Sequence, residues 1–304
     1  MKGIELSERF YNEYGIQLCD QFSHIEKEFA VGLAGSGSEC FGYDDEVSRD
    51  HDFEPGFCIF VSDALDSRTE FALERAYAKL PKEFMGYKRS PLSPVGGNRH
   101  GVIRMSDFFK DKTGSPDGKL TLYDWLSVPE QSLAEATNGK VYRDAGGTFS
   151  EIRKRLEYMP EDIRLKKLAG NLVLMGQTGQ YNYGRCMTRG DIAAAQLSVN
   201  EFVKHSLHVI FLLNKKYMPY YKWTFRALKE LPVLSELYTP LEGLLCNKAD
   251  KENAIEQVCR EITDELKARD MTSYHGSEAE GHAYSVNNRI QNEELRNLHI
   301  MSGV

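Results

Sequence analysis

No stretch of this sequence approaches the roughly 20 consecutive apolar residues that a membrane-crossing helix needs. The opening Met1-Lys2-Gly3-Ile4-Glu5 also lacks an apolar signal core, so the expected location is cytoplasmic, with no membrane partner. Cysteine is sparse. The six, Cys19, Cys40, Cys58, Cys186, Cys246 and Cys259, are scattered, with no Cys-x-x-Cys pair and no Cys/His spacing suited to zinc. They are expected as reduced thiols in the core or on the surface. Positive charge is in deficit, with 38 Lys and Arg against 45 Asp and Glu. That argues against a phosphate-rich polymer as the main partner, because such binding is built on clustered cations. A small substrate fits better. Internal repeats and low-complexity tails are missing as well.

What is present fits a globular chain long enough for two ordinary domains, at 304 residues. From Leu6 to Phe29, apolar residues recur every three or four positions, the mark of an amphipathic helix, with a break expected near Gly15. Two short apolar runs, Phe29 to Ala34 and Phe57 to Val61, read as buried strands, and His100 to Met105 reads as a third. Ser62 or Asp63 is expected to cap a helix reaching Leu80, and Met85 to Asn98 reads as a loop. Lys140 to Asp144 is expected as a last strand, followed by a Gly-rich joint. The expected organisation is therefore α+β, with a mixed sheet flanked by helices over residues 1–147 and an α-helical bundle over 148–304.

Chemistry concentrates between the first two strands. Gly35-Ser36-Gly37-Ser38 can aim amides and hydroxyls at a phosphate, since glycine permits close approach and positive φ. Further on, Asp50-His51-Asp52 would send both carboxylates to one face of a strand, where they suit a hard divalent cation such as Mg²⁺. Asp44, Asp45 and Glu46 read as exposed loop acids.

This stretch resembles the signature of the polymerase-beta-like nucleotidyltransferase superfamily, in which Gly-Ser is followed roughly a dozen residues later by acid-x-acid on a strand. The resemblance implies ATP or another nucleoside triphosphate on Gly35, Ser36 and Ser38, and one or two Mg²⁺ on Asp50 and Asp52. The implied reaction moves a nucleoside monophosphate, AMP by preference, to a hydroxyl of a small-molecule acceptor and releases pyrophosphate. Members often carry a third carboxylate on the third strand. Here Arg104 stands near that place and Asp107 is the nearest acid. A catalytically impaired nucleotide sensor is the alternative.

The second half is helical in pattern, with an apolar segment from Asp191 to Asn214 and a basic, aromatic cluster from Lys215 to Trp223. Lys215 and Lys216 read as helix-end cations that complement the macrodipole. The layout is similar to a bacterial family that joins a nucleotidyltransferase domain to a helical one, and to kanamycin nucleotidyltransferase and the streptomycin/spectinomycin adenylyltransferases. That similarity implies Lys222 as a phosphate contact and Asp191 as a substrate carboxylate, while Tyr217 and Tyr220 offer flat faces or hydroxyls to a base, sugar or ring substrate. Gln177, Gln180, Tyr181, Tyr183 and Arg185 either line the same cleft or form a surface loop. Arg269 and His275 have a spacing seen in helical ribonucleases, a remote alternative.

Overall fold

In this computed structural model, residues 1–47, 53–89, 99–246, 248 and 250–304 are described. The chain divides into two units, Met1–Leu120 with Gln131–Glu157, and Thr121–Glu130 with Tyr158–Val304.

In the first unit the N-terminal stripe is helical through α1 (Gly3–Phe10), a π-helical turn (Tyr11–Gly15) and α2 (Ile16–Asp20). The expected break at Gly15 is thus a widened turn. Phe29 opens β1 (Phe29–Leu33) rather than closing the helix. Then come α3 (Ser38–Phe41), β2 (Cys58–Val61) and α4 (Ser67–Ala78). The cap of α4 is Asp66, not Ser62 or Asp63: its carboxylate accepts from the Arg68 and Thr69 amides at 3.0 and 3.1 Å. A two-stranded hairpin, β3 (Glu83–Phe84) and β4 (Tyr87–Lys88), occupies part of the expected loop. The rest of the unit is β5 (Gly101–Arg104), α5 (Met105–Thr113), most of α7 (Glu130–Thr137), β6 (Lys140–Asp144) and α8 (Thr148–Leu156), with α6 (Leu122–Ser127) belonging to the second unit.

The sheet runs in the order β5-β2-β1-β6 and is mixed, with β5 parallel to β2 and the other pairs antiparallel. Gly32 pairs with Cys58 and Cys58 with Gly101, so the end of β1 and the starts of β2 and β5 share one end of the sheet. Alternation sends Phe29, Val31, Ile59 and Val61 into a core with Phe10, Tyr11 and Leu18. Phe60 goes to the other face and stacks on Phe149 of α8, ring centroids 4.1 Å apart. Both rings are fully buried, each worth about 1.5–3 kcal/mol. That contact keeps α8 with the sheet, so the unit ends at Glu157, ten residues after the expected boundary at Gly147. Asp44 is another difference. It is buried, not exposed, and its carboxylate accepts from the Gly3 amide at 2.8 Å.

The second unit is helical: α9 (Glu161–Met175), a π-helical stretch (Gly176–Tyr183), α10 (Gly184–Thr188), α11 (Ile192–Leu213), α12 (Tyr221–Leu228), α13 (Tyr238–Leu245), α14 (Lys251–Ala268), α15 (Ala279–Asn287) and α16 (Glu293–Asn297). Two buried lysines fasten neighbours to α9. Lys166 donates to Asn287 Oδ1 at 3.0 Å and the Leu298 carbonyl at 2.7 Å, while Lys167 donates to the Leu126 carbonyl at 2.9 Å. Burial lowers the pKa of both ammonium groups. The Lys167 bond ties residues 121–130 to the helices. Among the described residues no helix is long and apolar enough to cross a membrane.

Candidate functional site

The chain leaves β1 through two glycines that only glycine suits. Gly35 has φ +118° and Gly37 φ +125°, and a β-carbon on Gly37 would lie 2.4 Å from a Glu39 carboxylate oxygen. Asn138 fixes the turn from a distance. Its side-chain oxygen accepts from the Gly35 amide at 2.9 Å and its NH₂ donates to the Gly35 carbonyl at 2.8 Å, as a pairing strand would. Ser36 is left exposed, and Ser38 begins α3.

Two charged side chains meet on Ser36. Its hydroxyl donates to Glu135 Oε2 at 2.8 Å and accepts from Lys112 Nζ at 3.0 Å. Lys112 also pairs with Glu135 at 2.8 Å and with Asp111 at 3.1 Å. Burial pulls the Lys112 ammonium down, but the hydrogen bond and charge of Glu135, with Asp111, outweigh it and hold its pKa above the ordinary lysine value. A cation, a hydroxyl and a carboxylate therefore converge on a glycine turn. Lys112, Glu135 and Asn138 were not legible in sequence, because they come from α5, α7 and the loop after it. Asn138-Gly139 was the one available signal, a turn dipeptide just ahead of β6.

Asp50 and Asp52 lie outside the described residues. Phe53, which follows them, is buried and packs edge-on against Tyr87, ring centroids 4.7 Å apart. His100, just before β5, sits 3.1 Å from Glu54. Asp107 is in the first turn of α5, five residues or about 7.5 Å of helix before Lys112. It is Lys112 that α5 delivers to Ser36. β5 itself holds no acid: Arg104 ends it, paired with Glu70 and 3.9 Å from Asp63. Among the described residues no group of three or more His, Cys, Asp or Glu could hold a metal ion. Cys19 and Cys58, in the first unit, are not nucleophiles in waiting, since burial pushes Cys19 up to about 11 and Cys58 up to about 12.

In the second unit Asp191 caps α11, accepting from the Ala194 amide at 3.0 Å. Tyr217, Tyr220 and Lys222 follow the other end of that 22-residue helix, about 33 Å away along its axis, so Asp191 and these residues do not form one pocket. Tyr217 lines a cavity at that end, Tyr220 stands just before α12 without a side-chain capping bond, and Lys222 is exposed on α12. The stretch from Gln177 to Arg185 is a helical continuation rather than a surface loop. There Gln180 holds Glu256 and the Ala279 amide, and Arg185 donates to the Tyr181 hydroxyl. Arg269 is tied to Glu265 and the Leu213 carbonyl, and His275 is exposed.

Residues 125–224 are similar to a family described as a domain of unknown function, DUF4037. No curated protein matches the chain.

Proposed function

We propose that the first unit is a nucleotidyltransferase domain that holds a nucleoside triphosphate, ATP by preference, on the Gly35–Ser38 turn and moves its nucleotidyl group to a hydroxyl of a small acceptor. The observation that carries this reading is the Ser36 hydroxyl, exposed on a two-glycine turn and bonded to an ammonium group at 3.0 Å. The turn and the entry to β2 share one end of the sheet, and the Asp50-x-Asp52 pair precedes that entry in sequence. The Asp50 and Asp52 carboxylates, separated by one residue in sequence, are hard oxygen donors that fit Mg²⁺. Bound there, the cation would neutralise phosphate charge and ease deprotonation of the acceptor.

The chain's own residues have definable tasks. Gly35 and Gly37 let phosphate oxygens approach the backbone, and Ser36 turns its hydroxyl from Glu135 to donate to one of them. Lys112 exchanges its carboxylate partner for the triphosphate, a charge-assisted contact in either state. Glu135, released from Lys112, is a carboxylate beside the reacting group able to accept the acceptor's proton. The bond formed joins the acceptor oxygen to the α-phosphorus; the bond broken releases pyrophosphate.

Pyrophosphate release from ATP and Mg²⁺, measured across a panel of hydroxyl acceptors, tests the proposal. Turnover by the wild type that disappears in Asp50→Asn supports it. The nucleotide-sensor reading is favoured by one observation, the acid-free β5 with Arg104 engaged by Glu70. ATP binding without turnover on any acceptor would select it.

A further inference from the structure

A cavity of about 490 Å³ opens in the second unit where the start of α9 meets the end of α11. Its wall carries Arg164, Lys215 and Lys216 against one acid, Glu161, together with Tyr158 and Tyr217. We propose that this cavity binds a nucleoside monophosphate, with Lys215 and Lys216 on the phosphate and the two tyrosines against the base. The cavity is built within the second unit, and the inference does not rest on the function proposed for the Gly35–Ser38 turn.

The floor is rigid. Arg164, 5% exposed, holds both oxygens of Glu161 and donates to the Leu212 carbonyl at 3.0 Å. Glu130 accepts from the Met218 amide at 3.1 Å and sits 3.0 Å from His208, which fixes the backbone next to Tyr217. The lysines are different. The Lys215 amide bonds to the Leu212 carbonyl at 3.1 Å and the Lys216 amide to that of Phe211 at 3.0 Å, a Schellman closure of α11. Its left-handed position, where glycine is favoured, is taken by Lys215 at φ 52°. A lysine there is strained, and strain of this kind collects at binding sites.

Neither ammonium is held tightly. Lys215 forms a loose ion pair with Glu161 at 3.7 Å and is 61% exposed, and the Lys216 ammonium makes no ion pair or hydrogen bond with a described residue. Both cations complement the α11 macrodipole, and both also line a cavity that already holds a paired arginine. The volume falls within the range of about 300–1,000 Å³ usual for small-molecule sites. Cations with flanking aromatic faces match a phosphate joined to a flat base.

The test is calorimetric titration of the full chain with AMP, GMP, CMP and UMP, in EDTA, beside Ser36→Ala, Lys215→Gly and Lys216→Glu. At least one monophosphate is expected to bind the wild type and Ser36→Ala alike. Lys216→Glu and Lys215→Gly are expected to weaken it at least about tenfold, the scale of one charge-assisted hydrogen bond. Lys215→Gly should also melt no lower than wild type, because glycine suits the cap, which separates lost binding from lost folding. The proposal is overturned if none of the four binds below millimolar concentration. It is equally overturned if the lysine variants bind as wild type does, or if Ser36→Ala alone abolishes binding.

Discussion

At two places with chemical interest the backbone turns left-handed, and the residues there are opposite in kind. At Gly35 and Gly37, φ of +118° and +125° is met by glycine, and the charges that serve the turn, Lys112 and Glu135, arrive from elsewhere. At Lys215, φ of 52° is met by a lysine, and the charge sits on the strained residue itself. In the first region sequence supplies the conformation and topology supplies the chemistry. In the second, sequence supplies the chemistry at the expense of the conformation.

Substitution at each turn should break that comparison in opposite directions. Gly37→Ala is expected to destabilise the first unit by about 3 kcal/mol, seen as a lower urea midpoint, because alanine neither adopts that backbone nor clears Glu39. An unchanged midpoint would mean that the turn is not built as described.

Acid should act on the second unit through α11. His205 is buried, 2.8 Å from Asn171, and desolvation, with Lys204 and His208 nearby, lowers its pKa from 6.5 to about 4. Its folded pKa lies below the unfolded one, so the unfolded chain binds the extra proton between these values. The stabilisation is full above pH 6.5 and is lost as pH falls to about 4, on the order of 2–3 kcal/mol. His205→Gln should flatten the stability profile in that window, and a slope that persists would assign it to other groups.

Lys215→Gly carries the smallest effect, a gain of about 1 kcal/mol from relieving the left-handed lysine. A loss of stability would show that the lysine side chain supports the fold, and the contrast with Gly37 would disappear.

The same contrast explains what could be read in advance. The strands were legible as apolar runs, and β6 falls on Lys140–Asp144 as its pattern indicated. The basic cluster after α11 was legible too, because its residues are contiguous. What organises Ser36 was not: Lys112 and Glu135 lie 76 and 99 residues away, on helices whose charges look like any solvated face. Asp44 looked exposed among loop acids, and only the helix start packed over it makes it buried. The boundary moved for a similar reason, since Phe149 stacking on Phe60 is a long-range event in an otherwise ordinary helix.

The most direct test of the central claim is calorimetric binding of ATP with Mg²⁺ to the full chain and to Lys112→Ala, folding being checked by circular dichroism. A triphosphate seated on the Ser36 turn predicts affinity at least about tenfold weaker in Lys112→Ala. Equal affinity in a folded variant would contradict it.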